Sequence, residues 1–343
     1  MAEDKRAGGR IYALICDPTL PVRVNMMRSL RGVKASGILP MIEFGPVPWP
    51  DGRSCMAVLY QEPLGGRVRS DTRTRNDPIH ERDINRMAID PLRAGIKELN
   101  ERRVTHRAIR PDNLYYMDPA RQQIVFGDCV TSPPGYDQPM ISETIVSGMT
   151  QRDGRGAGML ENDLYAFGVV ILSLLTGRHP CADLSDEDIL HAKITQGSYQ
   201  ALIGDLRLPL PMTELLRGLV SDDPQQRWDL EALDLWTEGR RLSPIQTKPA
   251  QKAQRDFPFK GKLYSNTREL AAALGQNWDA AVDPIRDGQL ETWLKRSLDD
   301  KGRGEAITKA LKLVAASSMD SRAITDSMVT TVMSVLDPMA PIR

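Results

Sequence analysis

Cysteine is scarce and scattered in this 343-residue chain: Cys16, Cys55, Cys129 and Cys181 stand 39, 74 and 52 residues apart. No pair has zinc-finger or thioredoxin spacing, which argues against a disulfide framework and a structural metal. Aromatic residues are also few, at 5%. Neither sign of charge is in excess, because 45 Lys+Arg balance 45 Asp+Glu, so no global basic field recruits nucleic acid. Long hydrophobic runs are missing too. The longest, Leu164–Leu175, has twelve residues, too short for a bilayer and suited to a helix inside a core. Met1–Arg6 leads into no apolar segment, so no secretory signal and no membrane segment are expected. What is present, 41% apolar and 26% charged residues, is the mixture of an ordinary globular protein. A cytoplasmic protein with reduced thiols is the expectation.

Three short runs rich in β-branched and aromatic residues, Ile11–Ile15, Leu39–Phe44 and Cys55–Tyr60, are bounded by Gly, Pro or Asp and predict strands. Between the first two, Val22, Met26, Leu30 and Val33 predict a helix over Val22–Val33. Ile84, Met87, Ala88, Leu92, Ile96 and Leu99 then form a stripe at the helical period from Asp83 to Arg103. Pro91 should bend that helix or mark its start. Leu114–Met117 and Ile124–Phe126 read as a small hairpin, and Thr131–Leu160 as a loop long enough to be either disordered or functional. Helices are expected over Asp163–Gly177, Asp186–Ile194 and Thr213–Val220. A Pro-, Lys-, Gln- and Arg-rich linker follows. Glu238–Lys262 holds seven basic and two acidic residues; it reads first as a solvated tether and second as a contact for an anionic partner. Phe257–Tyr264 reads as a hairpin around Lys260-Gly261. Arg268–Leu274, Asp279–Arg286, Leu290–Leu298 and Ala306–Leu336 read as helices of a small module whose Trp278 and Trp293 share a core.

One series of motifs carries chemistry. His106-Arg107-Ala108-Ile109-Arg110-Pro111-Asp112-Asn113-Leu114 follows the long helix and leads into the hairpin. Fifteen residues after Asn113 stands Asp128-Cys129-Val130, and thirty-five further on Asp163-Leu164-Tyr165-Ala166-Phe167-Gly168 opens the apolar helix. Arg227 lies in Asp223-Pro224-Gln225-Gln226-Arg227-Trp228. In order, spacing and context this series resembles the eukaryotic-type (Ser/Thr) protein kinase family: its His-Arg-Asp catalytic loop, its Asp-Phe-Gly motif, the start of its buried central helix and its late structural arginine. The resemblance covers about residues 10 to 236.

The resemblance implies an α+β, bilobal kinase-like fold with a reduced N-lobe (1–64) and a helical C-lobe (65–236). Gln61-Glu62-Pro63 would be the hinge, 237–256 the linker and 257–343 a mostly helical accessory module. A kinase positions phosphates with a lysine, clamps them with magnesium and orients the acceptor hydroxyl with an aspartate. Ala108 stands where that aspartate would be, and a methyl group accepts no proton. Cys16 stands at the lysine position, and Val22–Val33 contains no glutamate to pair with a lysine. Ten residues precede Ile11, too few for two strands and a glycine-rich loop, so Gly8-Gly9 reads as a flexible leader.

Asn113 and Asp128 match the family's magnesium ligands, yet two oxygen ligands without phosphates make a poor magnesium site. No cofactor is expected, and ATP with magnesium should bind weakly or not at all. His106 and Arg107 read as structural. Asp163 reads as a helix cap that in the family also ties down the catalytic loop. Arg227 needs an acidic partner, for which Glu143 and Glu161 are candidates. His80, His179 and His191 read as surface or filler residues, and Arg67, Arg69, Arg73 and Arg75 as a solvated loop. The Gly154–Gly158 cluster is not a phosphate cradle, because no strand leads into it.

A catalytically inactive pseudokinase that binds signalling proteins is the first expectation. The alternative is a nucleotide-dependent enzyme with non-standard transfer chemistry using Asp128 and Asn113. The end of the sequence directly after an apolar helix suggests one part of a larger chain.

Overall fold

Alternation of apolar residues in the first sixty positions builds a sheet with one face inward. The computed structural model describes residues 2–4, 9–50, 52–70, 77–244, 251–317 and 320–339. Strands β1 (Ala2–Asp4), β2 (Gly9–Ile15), β3 (Met41–Pro48) and β4 (Ser54–Gln61) pair antiparallel in the order β1-β2-β4-β3. β1 corrects the expected leader: Asp4 lies opposite Gly9, so Gly9 belongs to β2, while Gly8 lies outside the described residues. Tyr12 faces Tyr60 and Leu14 faces Val58 across β2 and β4, and all four side chains join one apolar cluster. Helix α1 (Val24–Leu30) adds Met26, Met27 and Leu30 to it; it is shorter than the predicted span at both ends.

The stripe around Pro91 forms one helical run with a widened turn. α2 (Glu81–Ile84) passes into a π-helical turn, Asn85–Ile89, and then into α3 (Asp90–Glu101). Proline lacks an N–H and its ring crowds the carbonyl four residues back, and a π turn inserts the extra residue that relieves both. Ile84, Ala88, Ile89, Leu92 and Ile96 are buried on this run. The expected hairpin is β6 (Leu114–Tyr116) against β7 (Ile124–Phe126), with β5 (Gly66–Arg67) as a third strand.

Between 131 and 160 the chain is turned rather than featureless, with short helical turns at Met140–Ser142, α4 (Ile145–Gly148) and Arg152–Gly154. The apolar run is α5 (Leu160–Thr176), closed by Gly177 at a φ of 67°, a left-handed stop open to glycine. It starts three residues before Asp163, so Asp163 is inside the helix and not its cap. α6 (Asp186–Gln196), α7 (Ser198–Ile203), α8 (Leu210–Leu219) and α9 (Leu230–Thr237) follow. Leu164, Phe167, Val170 and Ile171 of α5 pack with the α2–α3 stripe, Leu215, Leu219, Trp228 and Leu233.

The architecture is mixed α/β, and the chain divides into two compact units. The first comprises Met1–Thr144, Gln151–Ile189 and Ser198–Thr247; the second Ile145–Thr150, Leu190–Gly197 and Lys248–Arg343. In the second unit β8 (Phe257–Phe259) and β9 (Lys262–Tyr264) form the predicted hairpin. Lys260 and Gly261 both take positive φ, 50° and 77°, as a two-residue hairpin turn of the primed type demands.

Five helices follow: α10 (Thr267–Gln276), α11 (Trp278–Arg286), α12 (Gln289–Ser297), α13 (Lys301–Ala315) and α14 (Ser321–Leu336). The single helix expected over Ala306–Leu336 is thus two, the second capped by the Asp320 carboxylate on the Ala323 N–H. Trp293 is buried edge-on to Phe257, whereas Trp278 lies at the margin of the same core and donates to Asp326. His191, also in this unit, is no isolated filler, since its Nδ1 lies 2.8 Å from Glu269 Oε1.

Candidate functional site

The motif residues converge in the first unit, where the segment after α3 meets the end of β7 and the start of α5. Asp163 reaches back from the first turn of α5. Its Oδ2 accepts the His106 N–H at 2.6 Å and its Oδ1 accepts the Arg107 N–H at 2.9 Å. The carboxylate therefore serves another segment's amides rather than capping its own helix. Burial pushes its pKa up to about 6, against the lowering effect of those two N–H groups and of Arg107 and Arg23.

His106 is buried against Phe126, ring centroids 5.1 Å apart, and its Nδ1 accepts the Ala108 N–H at 3.2 Å. Burial, reinforced by Arg23, drives its pKa down to about 3. A neutral imidazole wedged in this way packs and positions; it presents no proton donor to a solvent-filled cleft.

Arg107 adopts a φ of 55°, and its buried guanidinium makes a two-pronged pair with Glu143, 3.1 Å on each prong. Arg155 stands 3.6 Å from the same carboxylate. Gly135 and Gly158 wall the guanidinium, because a Cβ on either would sit 2.8 Å from an Arg107 nitrogen. The glycine cluster around 154–158 thus contributes a wall for arginine. This also corrects the partner expected for Arg227: Glu143 belongs to Arg107. Arg227 instead lies over the Tyr165 ring at 5.5 Å and donates its Nε to the Ser221 carbonyl at 2.8 Å. Nothing in the sequence joins Arg107 to Glu143, thirty-six residues apart in an irregular segment.

Asp128 follows β7, and each oxygen of its partly exposed carboxylate accepts two hydrogen bonds from the chain itself. Oδ1 accepts from the Tyr60 hydroxyl at 2.5 Å and the Val130 N–H at 3.3 Å. Oδ2 accepts from the Thr131 N–H at 3.2 Å and the Thr131 hydroxyl at 2.5 Å. An ionised carboxyl has about four such positions. Asn113 spends its amide N–H groups on the Ala108 and Asp128 carbonyls, at 2.9 and 2.7 Å. Its Oδ1 is packed against Gly127, where a Cβ would approach to 2.3 Å.

Magnesium held through Asn113 and Asp128, as the resemblance implies, would have to compete with these hydrogen bonds. Cys16, buried at the end of β2, has its thiol pushed up to about 11 by burial, Asp128 and Cys55, so it carries no charge toward a phosphate either. Among the described residues no three His, Cys, Asp or Glu side chains gather as metal ligands.

Aromatic rings crowd the space between β2, β4 and β6. Tyr12 lies 6.4 Å from Tyr60 and 5.6 Å from Tyr115, and the Tyr12 and Tyr115 hydroxyls are 3.0 Å apart. Arg67 stands over the Tyr115 ring at 5.4 Å and donates to its hydroxyl at 2.9 Å. Arg69 is buried and donates to the Ser173 carbonyl. The solvated-loop reading therefore fails for Arg69, whereas Arg67 is exposed but sits on β5 rather than in a loop; Arg73 and Arg75 lie outside the described residues.

No protein-family profile matches the chain. Over 269 residues it is 23% identical to calcium/calmodulin-dependent protein kinase type IV of Homo sapiens, covering 69% of this chain and 54% of that protein. The same enzyme of Mus musculus is 24% identical over 211 residues, covering 56% and 42%. That of Rattus norvegicus is 22% identical over 204 residues, covering 54% and 41%. The relationship is kinase-like. It is a distant similarity to serine/threonine protein kinases, and the chain spans about half the length or less of the curated relatives it matches. Among the described residues, no helix is long and apolar enough to cross a membrane.

Proposed function

We propose that this chain is a catalytically inactive, kinase-like protein, a pseudokinase that acts by binding other proteins of intracellular signalling. One observation carries the reading: each Asp128 carboxylate oxygen already accepts two hydrogen bonds from Tyr60, Val130 and Thr131, which a metal would have to displace. Ala108 in place of a proton acceptor and the neutral Cys16 thiol point the same way. The kinase-like lobes would be 1–64 and 65–236, with an accessory module over 257–343 beyond a linker at 237–256. The cytoplasm is the proposed location.

Thermal-shift titration with ATP and magnesium or manganese tests this directly, because a ligand that binds the folded state raises its stability by mass action. No shift is expected. A magnesium-dependent rise abolished by Asp128→Ala would replace this reading with a nucleotide-dependent enzyme built on Asp128 and Asn113.

A further inference from the structure

Kinase-like helices in the position of α1 are expected to be held by a lysine–glutamate pair, and this chain has neither member. What holds α1 is Arg23, the residue that leads into it. Its Nη1 donates to the His106 carbonyl at 2.9 Å and the Cys129 carbonyl at 2.9 Å, and its Nη2 to the Thr105 carbonyl at 2.7 Å. Its own N–H donates to the Val130 carbonyl at 3.0 Å. No carboxylate among the described residues lies within ion-pair distance of this guanidinium. The acceptors are main-chain carbonyls from two segments, Thr105–His106 and Cys129–Val130.

The same stretch of main chain is held from its other side. The N–H groups of His106 and Arg107 point to Asp163, while the carbonyls of Thr105 and His106 point to Arg23. The peptide unit joining Thr105 to His106 therefore lies between a cation and an anion, its oxygen toward one and its N–H toward the other. This is the orientation in which a peptide dipole is stabilised by both charges. Burial lowers the Arg23 pKa and raises that of Asp163, and each charge opposes the effect on the other.

We infer that Arg23 and Asp163 form an ion pair bridged by the main chain of Thr105–Arg107, and that this bridge locks α1, the 105–109 loop and the 128–131 turn into one cooperative unit without a nucleotide. The lock stands on geometry independent of whether the protein is an enzyme. A magnesium–ATP effect would overturn the pseudokinase reading while leaving the lock in place.

Hydrogen exchange read by mass spectrometry on the full chain tests it. Arg23→Met should raise exchange of peptides covering 24–30 and of the 106–107 amides by about tenfold, a mid-range coupling. Peptides from 160–176 should be unchanged. Arg23→Lys, which keeps the charge and loses the fork, should fall close to Arg23→Met, because an ammonium cannot serve three carbonyls in this geometry. Asp163→Asn should raise exchange in the 24–30 peptides although it touches none of them, and the double variant should show less than the product of the two single effects. Faster exchange confined to 24–30 in Arg23→Met would overturn the inference. So would an equal rise in 160–176 for both Arg23 variants, or strictly multiplicative effects in the double variant.

Discussion

The Tyr60 hydroxyl donates to Asp128 Oδ1 at 2.5 Å across sixty-eight residues of sequence, joining a strand of the four-stranded sheet to the turn after β7. Burial and the Asp128 charge raise the Tyr60 pKa well above that of a free phenol, so the proton stays on Tyr60 and the bond keeps its direction at every physiological pH. Tyr60→Phe removes this donor while retaining the ring. A loss of about 1.5–3 kcal/mol is expected for a hydrogen bond to a charged acceptor, measured by urea unfolding. Tyr60→Phe also vacates one position on Asp128 Oδ1, so a magnesium-dependent rise in melting temperature is expected to be larger in the variant than in the parent if this bond is what keeps a cation out.

On the proposed reading, a carboxylate at position 108 should not create phosphoryl transfer. Ala108→Asp is expected to incorporate no radiolabelled phosphate above a heat-killed control, since Cys16 is neutral and Asp128 is engaged by its own chain. Ala108 is 8% exposed, so the new carboxylate should also lower the melting temperature. Labelling by Ala108→Asp that is lost on Asp128→Ala would show that the site still holds a metal–nucleotide.

Asp163→Ala should cost more stability than Asp128→Ala. It strands the buried N–H groups of His106 and Arg107, at about 1–3 kcal/mol each, whereas Asp128 and Thr131 are only partly buried, so water can reach part of what Asp128→Ala leaves unpaired. Comparing the two midpoints in denaturant checks the order, and a lower midpoint for Asp128→Ala would contradict it.

Glu143→Ala leaves the Arg107 guanidinium buried beside Arg155 without its two-pronged carboxylate, and a loss of about 3–5 kcal/mol is expected. Replacing both ends together, Arg107→Leu with Glu143→Leu, should be milder than Glu143→Ala, because only Arg155 rather than Arg107 and Arg155 together then lacks the carboxylate. Equal losses in the two variants would count against the pair as the main interaction of this segment.

Two neighbouring groups give opposite pH dependences. His106, near 3 in the folded state and about 6.5 when unfolded, contributes stability that is present above 6.5 and lost as pH falls toward 3. Asp163, near 6 when folded and about 3.9 when unfolded, contributes stability that is present below about 4 and lost as pH rises through 6. Between pH 4 and 6 the two slopes offset each other. Relative to the parent, His106→Gln should gain stability on acidification from pH 6 to 4, and Asp163→Asn should lose it. Parallel curves for the three proteins would rule out this pair as the source.

Most strands and helices were legible because their signals are local: alternation in β2 and β4, the stripe of α3, Lys260-Gly261 at a hairpin turn. Both ends of the break between α13 and α14 are less visible, since Ala315 and Ala316 suit a helix and only Asp320-Ser321 carries a start signal. At the site, the motifs brought Asp163, His106, Arg107, Asn113 and Asp128 together on the page as they do in space. The side chains that decide what those residues can do were not legible. Tyr60 reaches Asp128 through strand register, and Glu143 reaches Arg107 through an irregular segment. Neither distance nor direction in such segments is encoded by periodicity. Arg23 was hidden differently: a guanidinium bound to carbonyls has no partner residue type to look for.

Gly135 and Gly158 lie against the Arg107 guanidinium at left-handed φ values of 75° and 63°, and Glu143 neutralises it. The four positions therefore constrain the order in which this protein could change. A side chain at 135 or 158 collides while the arginine remains, and losing the arginine first leaves the buried carboxylate with Arg155 alone. Losing the carboxylate first strands the arginine. Every single step from this arrangement leads downhill in stability, so the set should persist or disappear as a block in any lineage that keeps the fold.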